Sequence, residues 1–547
     1  MLVLLITSAC TQPSSAGTGA TAFVDTSFTV AAVPENLVAV TINVDPSNPD
    51  ASDKNPGTPA LPFQTLAAAI RYADNATANG SGAMVLVHDG VYREALQMPA
   101  RDSGIIAPLV IEAVNPGHAI VSGSDVWTGW QRQGSGNLWT HAWPYQWGLA
   151  PYPPGWQGNV VLQPIVRRRE MVFVNGSPLV QVLSSAQLGA GTFYVSEDAA
   201  TITVEPAAGV DLAASQVEVA VRSPVLQIQG RNNVVLRGLT FQHANTPLPN
   251  AAVEVTDSAG VLVDNCLFTL NNWDGLDVLV SSDVTLQQSK ALNNGGSGMG
   301  AYQLLRVLAN ANETSSNNWR GAAGGFTGWA VAGGKFGSIH NGIIRDYTSL
   351  NNQARGFWLD FDNVNVTLDG ARLGGNNGDG VFLEASEGPL QVMNTCSSDN
   401  SGAGIAGSNT SDVVIAGNLI RGNAGGQVLI TGATDREVTN FETGGTFDVQ
   451  IERWTIRGDL LVSQNQSQAW VVSPSWSWFV NSLASDWNMW SYSADDQLFV
   501  LGGESMSMTA WRNETGQDYD SIEVTGAAAN AAKQRIRGTP CAQVQTQ

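Results

Sequence analysis

The sequence predicts an all-β fold, a right-handed parallel β-helix solenoid with an N-terminal capping helix and an inserted small β subdomain. Three observations lead there. The chain has 547 residues, of which only 13% are charged and 58 are glycine, a profile of many turns and few helices. Short segments repeat: "VVLRGLTFQHAN" (234–245), "VLVDNCLFTLNN" (261–272), "VTLQQSKALNNG" (284–295), "VTLDGARLGGNN" (366–377), "LQVMNTCSSDNS" (390–401) and "VVIAGNLIRGNA" (413–424). Each opens on alternating apolar residues and closes near Asn, and Asn272, Asn294, Asn318, Asn352, Asn377, Asn400 and Asn423 mark turns, mostly 22 to 25 residues apart. A period in the twenties with short β segments and one turn Asn per unit points to stacked β coils. Asn suits such a turn because it tolerates left-handed geometry and can bond the next Asn in a stack. A leucine-rich repeat would need an L-x-x-L-x-L frame with a helical segment, and the chain has neither.

The organisation follows from where this frame starts and stops. Residues 1–33 read as an export signal and linker: "MLVLLITSACTQPSSAGTGAT" resembles the end of a bacterial lipoprotein signal, with Cys10 as the lipidated residue. Residues 34–126 read as the N-terminal cap and first coils, with a helix from about Phe63 to Ala73 covering the open end of the solenoid. Residues 127–222 leave the period. Segments such as "RREMVFVNGSPLVQV" and "GTFYVSEDAATITVEP" read as hairpins of an inserted β subdomain, with a two-residue turn in "VNGS". Residues 223–430 read as the central β-helix. Residues 431–547 read as C-terminal coils rich in Trp, ending in a disordered tail. The step from Asn318 to Asn352 is 34 residues. Its surplus, "WRGAAGGFTGWAVAGG", holds Arg320 and Trp329 and reads as a loop on the binding face.

Charge and composition narrow the partners. The net charge of −21 excludes nucleic acid, which needs a basic surface. After the first few positions no apolar run is long enough to span a bilayer. The membrane is therefore reached only through a lipid at Cys10, and the protein is placed outside the cell, on the bacterial surface or in the periplasm. Four cysteines give no disulfide framework, and Cys266 and Cys396 read as small core residues. The five histidines show no metal-ligand spacing, and the glycine-rich runs lack a Walker lysine or a dinucleotide-binding context.

The chemistry concentrates between Gly356 and Ser386, where "GFWLD" and "GVFLE" end on Asp360 and Glu384, 24 residues apart. Strand alternation turns Phe357, Leu359, Val381, Leu383 and Ile405 inward, and Trp358, Asp360, Phe382 and Glu384 outward. Two acids then occupy one position in successive coils, about 4.8 Å apart by strand spacing. Retaining glycosidases hold their two carboxylates at roughly 5–5.5 Å. The plainer readings are solvated acids, or acids binding Ca²⁺; no cofactor is called for. Trp358 and Phe382, outward beside the acids, read as platforms for a sugar ring. Asp362, Asp277 and Glu387 are nearby alternatives.

"GFWLDF" followed by "GVFLEASEGPLQV" resembles the paired motif of glycoside hydrolase family 120, the β-helix β-xylosidases. The resemblance implies Asp360 as nucleophile and Glu384 as acid/base, with Gly388-Pro389 matching the family's Gly-Pro. "AGGKF" resembles the segment before the nucleophile and implies Lys335 near the substrate. Glu387 stands where the family has His. The resemblance supports a retaining hydrolase of plant-type, xylan-related carbohydrate. Two other readings stay open. A polysaccharide lyase would use Arg320, Lys335, Arg345 and Arg355 to neutralise a uronate during β-elimination. A non-catalytic carbohydrate-binding surface protein would use the same solenoid as an adhesin.

Overall fold

The structure is a computed structural model that describes residues 24–525 apart from 102–103, 105, 135, 433–435, 464–469, 473–476 and 493–497. Cys10, most of the signal region and the tail beyond 525 lie outside the described residues. Among the described residues two long sheets, of 22 and 13 strands and parallel apart from one hairpin that pairs Phe499 with Met506, carry most of the chain, so each coil lies on the one before in register. The protein is a parallel β-helix. Its core is one continuous apolar column from Ile42 in the first coil to Trp511 near the last. Phe357, Leu359, Val381, Leu383 and Ile405 all lie in it, fully buried, as alternation requires.

A buried ladder runs down one turn of seven successive coils. Asn271, Asn294, Asn317, Asn352, Asn376, Asn400 and Asn423 each donate a side-chain hydrogen bond at 2.9–3.0 Å to the next amide, ending on Gln427. The sequence pattern names Asn272, Asn318 and Asn377 one residue too late. The physical reason is that two requirements fall on adjacent residues. The left-handed conformation belongs to the residue before each ladder position, such as Leu270, Asn293, Ser316, Asn351 and Asp399, while the ladder residue supplies the stacked amide. Asn272 and Asn318 are buried too, but they bond loop carbonyls at Thr246 and Phe326.

The cap helix spans Leu66–Ala78, later and longer than 63–73. Phe63 bridges to Val44 as an extended residue, and Thr65 caps the helix by accepting from Ala68 N. Glu94 accepts from the Leu66 and Ala67 amides at 2.9 and 2.8 Å, placing a carboxylate on the positive end of the helix. Leu66, Ala69, Ile70 and Ala73 close the end of the core.

Between Ser124 and Ala220 the chain builds two small, largely antiparallel sheets of four and five strands. Asn175 and Gly176, both at positive φ, make the two-residue turn that pairs Val174 with Ser177. Arg320 bolts this unit to the solenoid: Nε donates to Asn272 Oδ1, Nη1 to Gln181 Oε1 and Nη2 to the Glu170 carbonyl, at 2.7–2.9 Å. Trp454, Trp490 and Trp511 are fully buried in the C-terminal coils. Cys266 is a buried free thiol, its pKa pushed up to about 12 by burial. Cys396 is buried and disulfide-bonded, which corrects its reading as a plain core residue.

Replacing Asn352 by Ala removes a donor to Asn376 and leaves Asn317 without its acceptor, both inside the ladder. The expected loss is about 2–3 kcal/mol, read as a lower midpoint in urea denaturation. An exposed control such as Asn79→Ala should move it far less.

Candidate active site

Two outward columns run along the larger sheet. One carries Glu254, Asp277, Gly300, Lys335, Trp358 and Phe382 in successive coils. The other, two residues further along each strand, carries Leu279, Tyr302, Gly337 and Asp360. The pairs Trp358↔Phe382 and Leu359↔Leu383 set the register that brings Glu384 beside Asp360, and Ser408 follows Glu384. Parallel strands put these backbones about 4.8 Å apart.

Asp360 is only 8% exposed. Lys335 Nζ lies 2.7 Å from its Oδ2, and the Phe361 amide donates to its Oδ1 at 3.0 Å. Trp358 faces away from the core yet is just 4% exposed, so its ring is covered and not open to solvent. The Lys335 ammonium covers its ring at 4.7 Å. The Arg355 guanidinium covers it at 4.7 Å and lies 4.3 Å over Phe382. Arg355 is held there by Asp379, at 3.1 Å, and by the Gly328 carbonyl. Cations stacked on aromatic faces, which alternation cannot show, occupy the platform.

Glu384 meets Arg436 Nη1 at 2.5 Å. Arg436 leads into a hairpin, Glu437–Thr439 paired with Thr446–Asp448, that leaves the solenoid and folds back over the acids. Val438 and Val449 seat it on Ala385 and Phe361. Its tip clasps the next corner: Phe441 N donates to Asp362 Oδ2 at 2.8 Å, and Glu442 bonds His340 Nδ1. His340 Nε2 in turn faces Asp362 Oδ2 at 3.5 Å. Asp362 is fully buried and serves this clasp, not the face beside Asp360. Its coil has one more residue at the corner than the coil before, since Gly337 pairs with Asp360 but His340 with Val364. The chain turns through a left-handed conformation at Asp362 and breaks the alternation.

The remaining sequence candidates are not gathered at the pair. Arg320 is buried among its bonds to the inserted subdomain, beside a cavity of about 400 Å³ lined by Met171, Phe173, Leu179 and Trp319. Trp329 is 40% exposed and packs edge-on against Trp156 at 4.9 Å, on the loop whose Gly328 holds Arg355. Asp277 stands two coils before Lys335. Burial and then the charge of Glu254 push its pKa up to about 7, and Lys335 works the other way. Arg436, Phe441, Glu442, His340 and Tyr302 were not found from sequence. For the hairpin there was a signal, because Asn418 and Asp459, which stack in consecutive coils, are 41 residues apart. Among the described residues no group of three or more His, Cys, Asp or Glu side chains is arranged to hold a metal ion.

Family models match two parts of the chain. The right-handed β-helix region matches residues 215–328, and the periplasmic copper-binding protein (NosD) model matches residues 307–442. No curated protein sequence matches. Among solved structures, the complex of XylC with xylose superposes with a TM-score of 0.64 at 14% identity, over 88% of this chain and 86% of that one. A glycoside hydrolase gives 0.45 at 13%, over 72% and 97%. The A-module of mannuronan C-5 epimerase AlgE4 from Azotobacter vinelandii gives 0.42 at 13%, over 84% and 96%. At such identities the likeness is one of fold, and with the register above it makes the protein a right-handed parallel β-helix.

The His340 clasp yields a pH dependence. Burial disfavours the imidazolium, but the bonds to Asp362 and Glu442 outweigh it and the pKa is raised. The clasp is therefore complete below the ordinary imidazole value of about 6.5 and is lost as pH rises through the raised one. Hydrogen exchange at the Phe441 amide should quicken over that interval, more than the intrinsic pH effect accounts for. His340→Gln should remove the excess.

Proposed function

We propose that the protein is an exported glycoside hydrolase that cleaves plant-type oligosaccharide or polysaccharide, with xylan-related substrates favoured, by a retaining two-carboxylate mechanism. The observation that carries the reading is the register of Asp360 and Glu384, two acids at one outward position of adjacent coils. Adjacent rungs set a spacing close to that of a retaining pair and too short for the water that an inverting pair admits. The fold-level likeness to XylC, solved with xylose, and the motif resemblance in the two phrases support the substrate class. The family model matched over residues 307–442 is described as that of a periplasmic protein, in keeping with export.

Each residue then has a task. Asp360, held ready by Lys335 and the Phe361 amide, attacks the anomeric carbon. Glu384 gives a proton to the leaving oxygen, then takes one from the water that releases the sugar. Arg436 bonds Glu384 in the resting structure and is 41% exposed, so the hairpin must withdraw it before Glu384 carries a proton. Arg355 must likewise yield the Trp358–Phe382 face to a sugar. A second reading, β-elimination from a uronate, draws on Lys335, Arg355 and Arg436, three cations beside the acids that could neutralise a substrate carboxylate.

Asp360→Asn should lower kcat on aryl xylosides at least about 10³-fold while circular dichroism stays native. Glu384→Gln should spare substrates whose leaving group needs no proton. Release of reducing ends without ultraviolet absorbance from an unsaturated product is the outcome for hydrolysis. Growth of that absorbance would establish elimination in its place, and no turnover on any glycan would leave a binding protein.

A further inference from the structure

We propose that Asp277 is a positioning residue for Asp360 that acts through Lys335, receiving the Lys335 charge when Asp360 becomes a glycosyl ester. The inference rests on the hydrolase reading above. Asp277 and Lys335 share one outward column, with only Gly300 between them. Gly300 leaves room there for the Asp277 carboxylate, which lies across it: a Cβ on Gly300 would stand 2.2 Å from Asp277 Oδ1. The carboxylate thus fills the gap that an ordinary side chain would occupy. From the other side, Lys335 bonds Asp360 Oδ2 at 2.7 Å, and among the described residues that is its one ion pair. Its field still reaches Asp277 and Asp274. One ammonium thus stands between two acidic stations, bonded to the first and felt by the second.

The charge balance of the reaction gives the second station its use. At rest the Asp360 carboxylate and the Lys335 ammonium neutralise each other. When an Asp360 oxygen bonds the anomeric carbon, the carboxylate becomes a neutral ester, and the leaving oxygen departs with the proton of Glu384. Lys335 keeps its protons but loses the anion it touches, because the negative charge now sits on Glu384, one coil further on and beside Arg436; an ammonium without an adjacent anion in a half-buried site is costly. Its flexible four-carbon stem lets it turn toward Asp277. The charged groups facing Asp277 are Glu254 from the coil before, Asp274 on its own strand and Lys335 two coils on. Burial and Glu254 hold it near its titration point at about 7, so an unpaired Lys335 tips it to the carboxylate and its proton leaves to solvent. Hydrolysis of the ester restores the Asp360 charge and returns Lys335.

The test has one arm that needs turnover and one that does not. In the native enzyme kcat/KM should rise with pH through an apparent pKa near that of Asp277. Asp277→Asn should abolish this limb and lower kcat about tenfold, with KM moved less. Gly300→Ala, which displaces the carboxylate, should do the same. In a crystal structure of Asp360→Asn, whose amide cannot neutralise the ammonium, Lys335 Nζ should be found on Asp277. A pH limb that survives in both Asp277→Asn and Gly300→Ala overturns the proposal. So does a Lys335 that remains at position 360 in the Asp360→Asn structure. A native protein with no glycosidase activity overturns the hydrolase reading instead, and the Asp360→Asn structure then still decides whether Lys335 passes to Asp277.

Discussion

Everything functional in this protein depends on parallel strands stacked in register. Backbone hydrogen bonds hold neighbouring coils about 4.8 Å apart, and the buried amide ladder from Asn271 to Asn423 prevents slippage. A one-residue slip would turn every inward residue outward. The same constraint that buries Phe357 over Val381 places Asp360 beside Glu384. Stability and site geometry are therefore one property of the stack, and the acids need no separate scaffold.

Onto this regular lattice the chain adds excursions. The loop before the Asp360 coil holds Arg355 through the Gly328 carbonyl. The hairpin after residue 431 brings Arg436 to Glu384 and fastens itself at His340 and Asp362. In the resting structure both acids are ion-paired, and the aromatic face beside them is covered by cations. Such an arrangement keeps buried carboxylates compensated. On the proposed function, substrate entry is then a matter of exchanging partners at the positions that Arg355 and Arg436 hold.

Legibility in the sequence followed periodicity. Inward apolar residues repeat with period two inside the strands, so the core side of the Asp360 coil could be read directly. The ladder could be located to within one residue, because left-handed turn residue and stacked amide are neighbours and Asn can serve as either. Asp362 could not be placed, since one added residue at a corner reverses the faces that alternation assigns. The burial of Trp358 could not be foreseen either. Its cover comes from Lys335 and Arg355, on the neighbouring coil and at the start of its own strand, and cation–aromatic stacking leaves no periodic trace.

The sequence by itself determined the solenoid, the inward faces of its strands and the alignment of two acids one coil apart, because these follow from local alternation and a repeat length. Only the tertiary structure decided which charges meet those acids. Lys335 reaches Asp360 from the preceding coil and Arg436 reaches Glu384 from 52 residues further along the chain. Pairings of that kind depend on where loops and hairpins fold back. No local pattern encodes that path, since it is set by packing such as Val438 and Val449 against Ala385.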